Sequence, residues 1–188
     1  MKKFLRFGAA SAVVAASLGM STVAQAQDSA SADAFAEILT ALQLELDTGS
    51  KLDFGAMVVS GAGVVSLDAA TGTLDCSAAN IVCSGATELA TFNITAGTAL
   101  KDVKINLQST NVTLLRATGT PGNAADELEL GNLNSDASFV TDVLGDYYEV
   151  TLSGTGTSTF EVGGELTFDG SENAGVYTGT FSVSVEYS

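Results

Sequence analysis

The sequence predicts an all-β fold, an antiparallel immunoglobulin-like β-sandwich, and three observations support this prediction. Short runs of alternating apolar and polar residues recur along the chain, and Gly, Asn, Asp and Thr separate them, as expected of half-buried strands joined by turns. The 188 residues include 20 glycines and one proline, so turns can form without removing amide donors from strand interiors. Patterns that favour helices are nearly absent beyond the N-terminus. Many short, regularly spaced strands are typical of a sandwich.

Residues 1–26 are predicted to be a signal peptide. Lys2 and Lys3 give a basic start, residues 7–20 form a short apolar run, and the small Ala26 precedes the expected cleavage point. We therefore expect the mature chain to be exported, either released from the cell or held at its surface. No later segment is apolar enough to form a transmembrane helix, so none is expected after cleavage.

The chain that follows the signal peptide is strongly acidic. All 22 acidic residues lie beyond Ala26, but only four of the seven basic ones do, so the net charge of the mature chain is 4 − 22 = −18. Such a surface repels phosphate backbones, and no nucleic-acid partner is expected. The chain contains no His, the commonest general base and metal ligand. We predict no catalytic, cofactor-binding or metal-binding residues, and no enzymatic activity.

Residues 42–188 are predicted to form the sandwich domain. In residues 32–47, Leu42, Leu44 and Leu46 alternate with polar residues, so the second half of this segment is predicted as a strand and the first half is left open. The hydrophilic residues 118–127 are the most loop-like internal stretch. The other predicted strands are 52–60, 63–68, 88–95, 101–108, 111–117, 127–133, 146–154, 158–168 and 174–188.

Cys76 and Cys83 are the two cysteines of the chain. Because the signal peptide directs the protein to an oxidising compartment, a disulfide between them is expected, closing a short loop. Two thiols without histidine make a poor metal site, and their spacing does not match a redox motif.

In the last predicted strand, residues 174–188, apolar and polar residues alternate, so one side is expected to face a core and the other to face water. Phe181 and Val183 are therefore expected to be buried, whereas Tyr187, close to the chain end, is expected to add little to global stability. The apolar side consists of Tyr177, Gly179, Phe181, Val183, Val185 and Tyr187.

This strand resembles the C-terminal signature of chaperone–usher pilus subunits, which have a penultimate aromatic residue, alternating apolar residues before it and a glycine fourteenth from the end. Tyr187 and Gly175 occupy those positions here. The resemblance implies that the protein self-associates and that a periplasmic chaperone and an usher are its partners. One departure is that many pilins join their first two strands by a disulfide, whereas Cys76 and Cys83 are near neighbours. The implied assembly strand comprises Gly175, Tyr177, Phe181, Val183, Val185 and Tyr187.

Residues 51–72 and 174–188 also resemble a secreted bacterial family, domain of unknown function 4402. The similarity extends over essentially the whole mature chain.

An immunoglobulin-like domain that lacks one strand must have its open edge filled by an added strand. Residues 27–41 form an N-terminal extension that could supply it, with pairing either in cis or in trans. The predicted function is an exported structural subunit of a fimbria-like or pilus-like surface assembly that polymerises by strand donation. The alternative is a self-complete monomeric sandwich, secreted or surface-attached, of adhesive or binding type. The better inward-facing set of the candidate donor strand is Ala32, Ala34, Ala36 and Ile38.

Overall fold

The computed structural model describes residues 31–143 and 145–188, so the predicted signal peptide and its cleavage after Ala26 lie outside the described residues. The described part contains fourteen strands and a single turn of 3-10 helix, Ala124–Asp126, and no α-helix. The strands are β1 (Gln43–Leu46), β2 (Ala56–Val59), β3 (Gly63–Leu67), β4 (Leu74–Asp75), β5 (Ile81–Ser84), β6 (Ala90–Ala96), β7 (Asp102–Leu107), β8 (Val112–Arg116), β9 (Glu127–Ser135), β10 (Ser138–Val140), β11 (Tyr147–Thr151), β12 (Ser158–Phe168), β13 (Tyr177–Thr178) and β14 (Val183–Tyr187).

The larger sheet is built around the long strand β12. Its strands lie in the order β1-β6-β12-β9-β8-β13, and β3 with β4 continues beside the second half of β12. The first half of β12 pairs with β6 and the second half with β3, while β9 runs along its other side. Gly163 lies where the partner changes, and a Cβ there would overlap the carbonyl oxygen of Leu67. Only glycine permits this close approach of two backbones.

A four-stranded sheet, in the order β10-β11-β7-β14, packs face to face on the larger one, and β2 and β5 form a separate two-stranded ribbon. The buried cluster between the sheets combines Ile94 of β6 and Phe160 of β12 with Val103 and Ile105 of β7. Every strand pairing is antiparallel. The prediction of an all-β antiparallel sandwich is therefore confirmed.

A second core cluster lies at the other end of the larger sheet. It contains Leu67, Leu130 and Phe168, and the ribbon covers it with Ile81 of β5 and the half-buried Met57 of β2. Alternation along β12 explains this burial, since every second side chain of a strand points to the same face.

The predicted C-terminal strand, residues 174–188, is divided in the structure. Tyr177–Thr178 (β13) pairs with β8 in the larger sheet, whereas Val183–Tyr187 (β14) pairs with β7 in the smaller one. The residues between them carry the chain from one sheet to the other. A period of two indicates which side of a strand faces the core, but it does not indicate which sheet the strand joins.

Candidate assembly edge

Strand β14 is an edge strand of the smaller sheet. Within residues 31–143 and 145–188 it pairs with β7 alone. The amide of Gln108 donates to Ser182 O (3.1 Å) and that of Ser188 donates to Asp102 O (3.1 Å). In an antiparallel ladder such hydrogen-bonded positions alternate with positions whose N–H and C=O point the other way.

The backbone groups of Val183, Val185 and Tyr187 therefore point away from β7. No described strand lies on that side of β14. Because exposed edge groups of this kind can pair with another strand, this side of β14 is a candidate site for strand addition.

The side chains of β14 are less buried than those of the strand beside it. Val103 and Ile105 of β7 are 0% exposed. Their cross-strand partners Tyr187 and Val185 face the same core cluster but are only half-buried. The prediction that Val183 is buried is wrong, because this side chain is also only half-buried. The core-facing side chains are thus less completely buried towards the side of β14 that has no neighbouring strand.

Strand β1 shows the same pattern at the edge of the larger sheet. Leu42 and Leu44 pack against the cluster that contains Val103 and Ile105, yet both stay half-buried, and Leu46 is 50% exposed. Apolar side chains of both sheets thus remain partly exposed. We call this region the open edge; it comprises Leu42, Leu44, Phe181, Val183, Val185 and Tyr187.

Tyr187 links the two strands of the open edge. Its hydroxyl donates a hydrogen bond to Thr40 O (2.5 Å) and accepts one from Thr98 N (2.7 Å), while Thr40 N donates to Thr98 Oγ1 (2.8 Å). These bonds hold the backbone just before β1 against the turn between β6 and β7. We refer to Thr40, Thr98 and Tyr187 as the Tyr187 clamp. Sequence alternation had indicated that Tyr187 faces the core, but not which backbone groups it binds.

Phe181 lies between the two core clusters and packs against both. Its ring meets that of Phe92 edge to face, with the ring centroids 6.2 Å apart, and Phe92 in turn stacks on Phe160 at 5.5 Å. Phe181 is half-buried rather than buried as predicted, because it precedes β14 where the chain crosses between the sheets.

Gly175 and Tyr177, also assigned to the assembly strand, lie apart from β14. A Cβ at Gly175 would come within 2.7 Å of Cγ and Cδ of Arg116, so a larger residue would displace the arginine stem. The hydroxyl of Tyr177 donates to Asn173 O (2.7 Å) and Ala125 O (3.1 Å). Both residues therefore help to hold Arg116 and the loop around Ala125.

Asp126 is the centre of this neighbouring polar network, which the sequence analysis did not identify. Its carboxylate accepts hydrogen bonds from Asn173 Nδ2 (3.0 Å), Thr120 N (3.1 Å) and Arg116 Nε (2.7 Å). Asn123 Nδ2 also donates to it (3.0 Å), and Arg116 Nη2 lies 2.6 Å away. These hydrogen bonds, with that from Asn173 the largest contribution, hold the pKa of Asp126 well below its usual range. The sequence feature that could have drawn attention to this network is that Arg116 is the one arginine of residues 27–188.

The candidate donor residues Ala32, Ala34, Ala36 and Ile38 are all exposed, and residues 31–42 contain no strand. Phe35 and Ile38 are 92% and 95% exposed. One has an odd and the other an even residue number, so their side chains point to opposite faces of a continuous strand. An inserted strand could therefore bury one of them but not both on the same face.

The predicted disulfide between Cys76 and Cys83 is present, with the Cα atoms 6.2 Å apart. Both cysteines are half-buried against the core cluster under the ribbon. The bridge connects the end of β4 to β5. The segment between the cysteines, predicted as a loop, thus contains part of a strand.

Within the described residues, no group of three or more Cys, Asp or Glu side chains is arranged to hold a metal ion. A cleft of about 470 Å³ among the described residues is lined in part by Asp47, Glu88 and Glu161. No described buried side-chain nitrogen or oxygen lacks a hydrogen-bond partner. No helix in the described part is both long and apolar enough to cross a membrane.

These features define an all-β protein, an antiparallel sandwich with a polar loop network and an apolar open edge. The model of the family described as "Domain of unknown function (DUF4402)" matches residues 44–187, and the chain belongs to this family. The match begins within β1 and ends at Tyr187, so it spans both strands of the open edge. No curated protein and no solved structure matches the chain.

Proposed function

We propose that this protein is an exported structural subunit of a fimbria-like or pilus-like surface assembly, in which subunits join by β-strand addition at the open edge. The observation that carries the proposal is the state of β14. It combines outward-facing backbone groups with core-facing side chains that are only half-buried. A strand added beside β14 would form hydrogen bonds with those backbone groups and cover those side chains.

The donor in this proposal is the N-terminal extension of a second copy. Ala32, Ala34, Ala36 and Ile38 lie on one side of residues 31–38 when extended, and none of them is charged. The other side carries Asp33, Phe35 and Glu37 and would face solvent. A span of seven residues covers about 23 Å when extended, which exceeds the length of the five-residue β14, about 17 Å. During export, a periplasmic chaperone would occupy the same edge and an usher would direct its replacement.

A monomeric binding protein is the second candidate, and one observation favours it. Val58 and Val82 lie opposite each other on the ribbon and are 68% and 66% exposed. The segments that contain them, residues 54–67 and 76–87, have no charged residue in this acidic chain. An uncharged, partly apolar surface of this kind suits an adhesive contact.

The test uses the chain that begins at Gln27 and measures its association by sedimentation velocity. Val185→Pro removes an amide that points away from β7, so it should block strand addition and leave the ladder to β7 intact. Val185→Ala is the matched control, because it shortens the same side chain but keeps the amide. Ala34→Asp with Ile38→Asp places charges on the donor face, at residues that are exposed in the monomer.

We expect the wild-type chain to assemble and Val185→Ala to retain assembly, while Val185→Pro and the Ala34→Asp/Ile38→Asp chain each stay monomeric. Mixed together, the last two should form a one-to-one complex, because one has an intact donor and the other an intact edge. A wild-type chain that is monomeric at all concentrations, or assembly by all the variants alike, would overturn the proposal and favour the monomeric binding protein.

A further inference from the structure

The Tyr187 clamp joins the open edge of a subunit to the base of that subunit's own N-terminal extension. Tyr187 is the last residue of β14, and its ring packs with the core cluster of the open edge. Its hydroxyl binds Thr40, two residues beyond Ile38, the last of the proposed donor residues. One side chain thus contacts both elements that strand addition would use.

We infer that Tyr187 is a positioning residue for the donor segment: its hydroxyl fixes the backbone at Thr40 and so shortens the part of the extension that must become ordered when the strand is donated. The inference rests on the proposed function. Thr40 is held from two sides, since its carbonyl oxygen accepts from Tyr187 (2.5 Å) and its amide donates to Thr98 Oγ1 (2.8 Å). The hydroxyl of Tyr187 is itself oriented by the amide of Thr98 (2.7 Å).

The consequence for assembly is entropic. A strand donated to a second copy must be ordered when it binds, and each backbone residue that is already fixed reduces that cost. Releasing Thr40 lets the base of the extension move, so the full chain should associate roughly tenfold more weakly for each residue released. Backbone pairing at β14 should be unaffected, because the hydroxyl contributes no backbone group of that strand and the ring of Tyr187 can remain in the core.

The variant Tyr187→Phe isolates this effect, since it removes the hydroxyl and keeps the ring in the core. Tyr148→Phe is the matched control, because the ring of Tyr148 packs against the same cluster and no clamp bond involves it. Thr98→Val removes the acceptor for Thr40 N from outside the open edge. We expect Tyr187→Phe to weaken self-association of the chain beginning at Gln27 by up to about tenfold, Thr98→Val to act in the same direction, and Tyr148→Phe to have no effect.

A second measurement separates positioning from a merely structural role. A labelled synthetic peptide of residues 28–39 is titrated into the full-length Ala34→Asp/Ile38→Asp chain, with and without Tyr187→Phe. The peptide has no Thr40 and is not tethered, so its affinity should change by less than about twofold if the hydroxyl acts through the base of the extension.

The possible results lead to different conclusions. Equal weakening of peptide binding and of self-association would show that Tyr187 supports the open edge itself, and would overturn the inference. Unchanged self-association of the Tyr187→Phe chain would also overturn it. If the peptide does not bind and the wild-type chain does not assemble, the proposed function fails and the inference fails with it.

Discussion

At the scale of single residues, Asp126 holds together segments that are distant in sequence. It accepts hydrogen bonds from Arg116 at the end of β8 and from Asn173, which lies 47 residues beyond Asp126 in the sequence. Asp126 as a residue is only 4% exposed, so its charge requires these partners. The same network positions Tyr177 and leaves room for the arginine stem only because residue 175 is glycine.

The low pKa of Asp126 predicts a specific pH dependence. A carboxyl group whose pKa is lower in the folded than in the unfolded chain contributes stability above its unfolded pKa of about 3.9, and this contribution is lost as the pH falls further. Asp126→Asn should therefore unfold at lower urea concentration than wild type at pH 7, and the difference between the two proteins should shrink below about pH 4. Urea titrations from pH 7 to pH 2 measure it.

The comparison with Asn controls for other acids that change protonation over the same range, such as Asp68 and Asp169, whose pKa values are also lowered. Their effect is common to both proteins. A difference between wild type and Asp126→Asn that stays constant down to pH 2 would contradict the assignment.

Tyr187 illustrates what sequence periodicity can and cannot indicate at this scale. Its alternation with Val183 and Val185 correctly predicts a core-facing ring. The expectation that it adds little to global stability stays a prediction, although its contacts are not confined to residues near the chain end. Its hydroxyl bonds reach residues 147 and 89 positions away in sequence. Contacts at that separation depend on the tertiary fold and leave no local pattern.

At the scale of elements, the ribbon of β2 and β5 depends on packing and on the disulfide. Its four residue pairs bury Ile81 and half-bury Met57, but they leave Val58 and Val82 exposed. An isolated two-stranded ribbon is only marginally stable in water. The bond between Cys76 and Cys83 ties β5 to the end of β4, so it should restrict the motion of the ribbon.

Replacing both cysteines, as Cys76→Ser with Cys83→Ser, should lower the free energy of unfolding by about 2–3 kcal/mol, because the unfolded chain regains the conformational entropy that the short closed loop had removed. Guanidinium titrations of the oxidised wild type and the double variant measure the change. The reduced wild type is the control, because it keeps both sulfur atoms and lacks only the bond. If oxidised and reduced wild type unfold at the same concentration, the disulfide adds no stability to the ribbon.

The elements also show where sequence reasoning succeeds. Long alternating runs such as residues 158–168 and 101–108 correspond to β12 and β7, because both have one face on a continuous core. Short strands were missed: β4 has two residues and β10 has three, too few for a period of two to be visible. The final run was read as a single strand because its alternation continues across the change of sheet.

At the scale of the whole molecule, the sequence was sufficient for the fold class, which follows from local patterns, and for the disulfide, which follows from the spacing of two cysteines in a chain expected to be exported. It indicated the core-facing side of β14 but not that its other neighbour is missing, because an edge position is a property of the complete sheet. The arrangement that brings Thr40 to Tyr187 likewise arises only when the two sheets pack.

Net charge supplies the last prediction, because in the proposed assembly two chains that begin at Gln27, each with a net charge of −18, should repel one another as they associate. The proposed donor face lacks charge, but Asp33 and Glu37 lie on the other side of the same segment, and Glu186 lies on β14. Salt screens such repulsion, with a Debye length of about 30 Å at 0.01 M and about 8 Å at 0.15 M. Raising NaCl from about 0.01 M to 0.15 M should therefore tighten self-association of the chain beginning at Gln27, on the order of tenfold.

Sedimentation velocity at fixed protein concentration measures this change. KCl at equal ionic strength should give the same result, because the effect is one of screening. Binding of the residue 28–39 peptide should respond less, since the peptide carries far less charge than a whole subunit. Association that weakens as salt is added would show that attraction between opposite charges, rather than pairing at an uncharged edge, drives assembly.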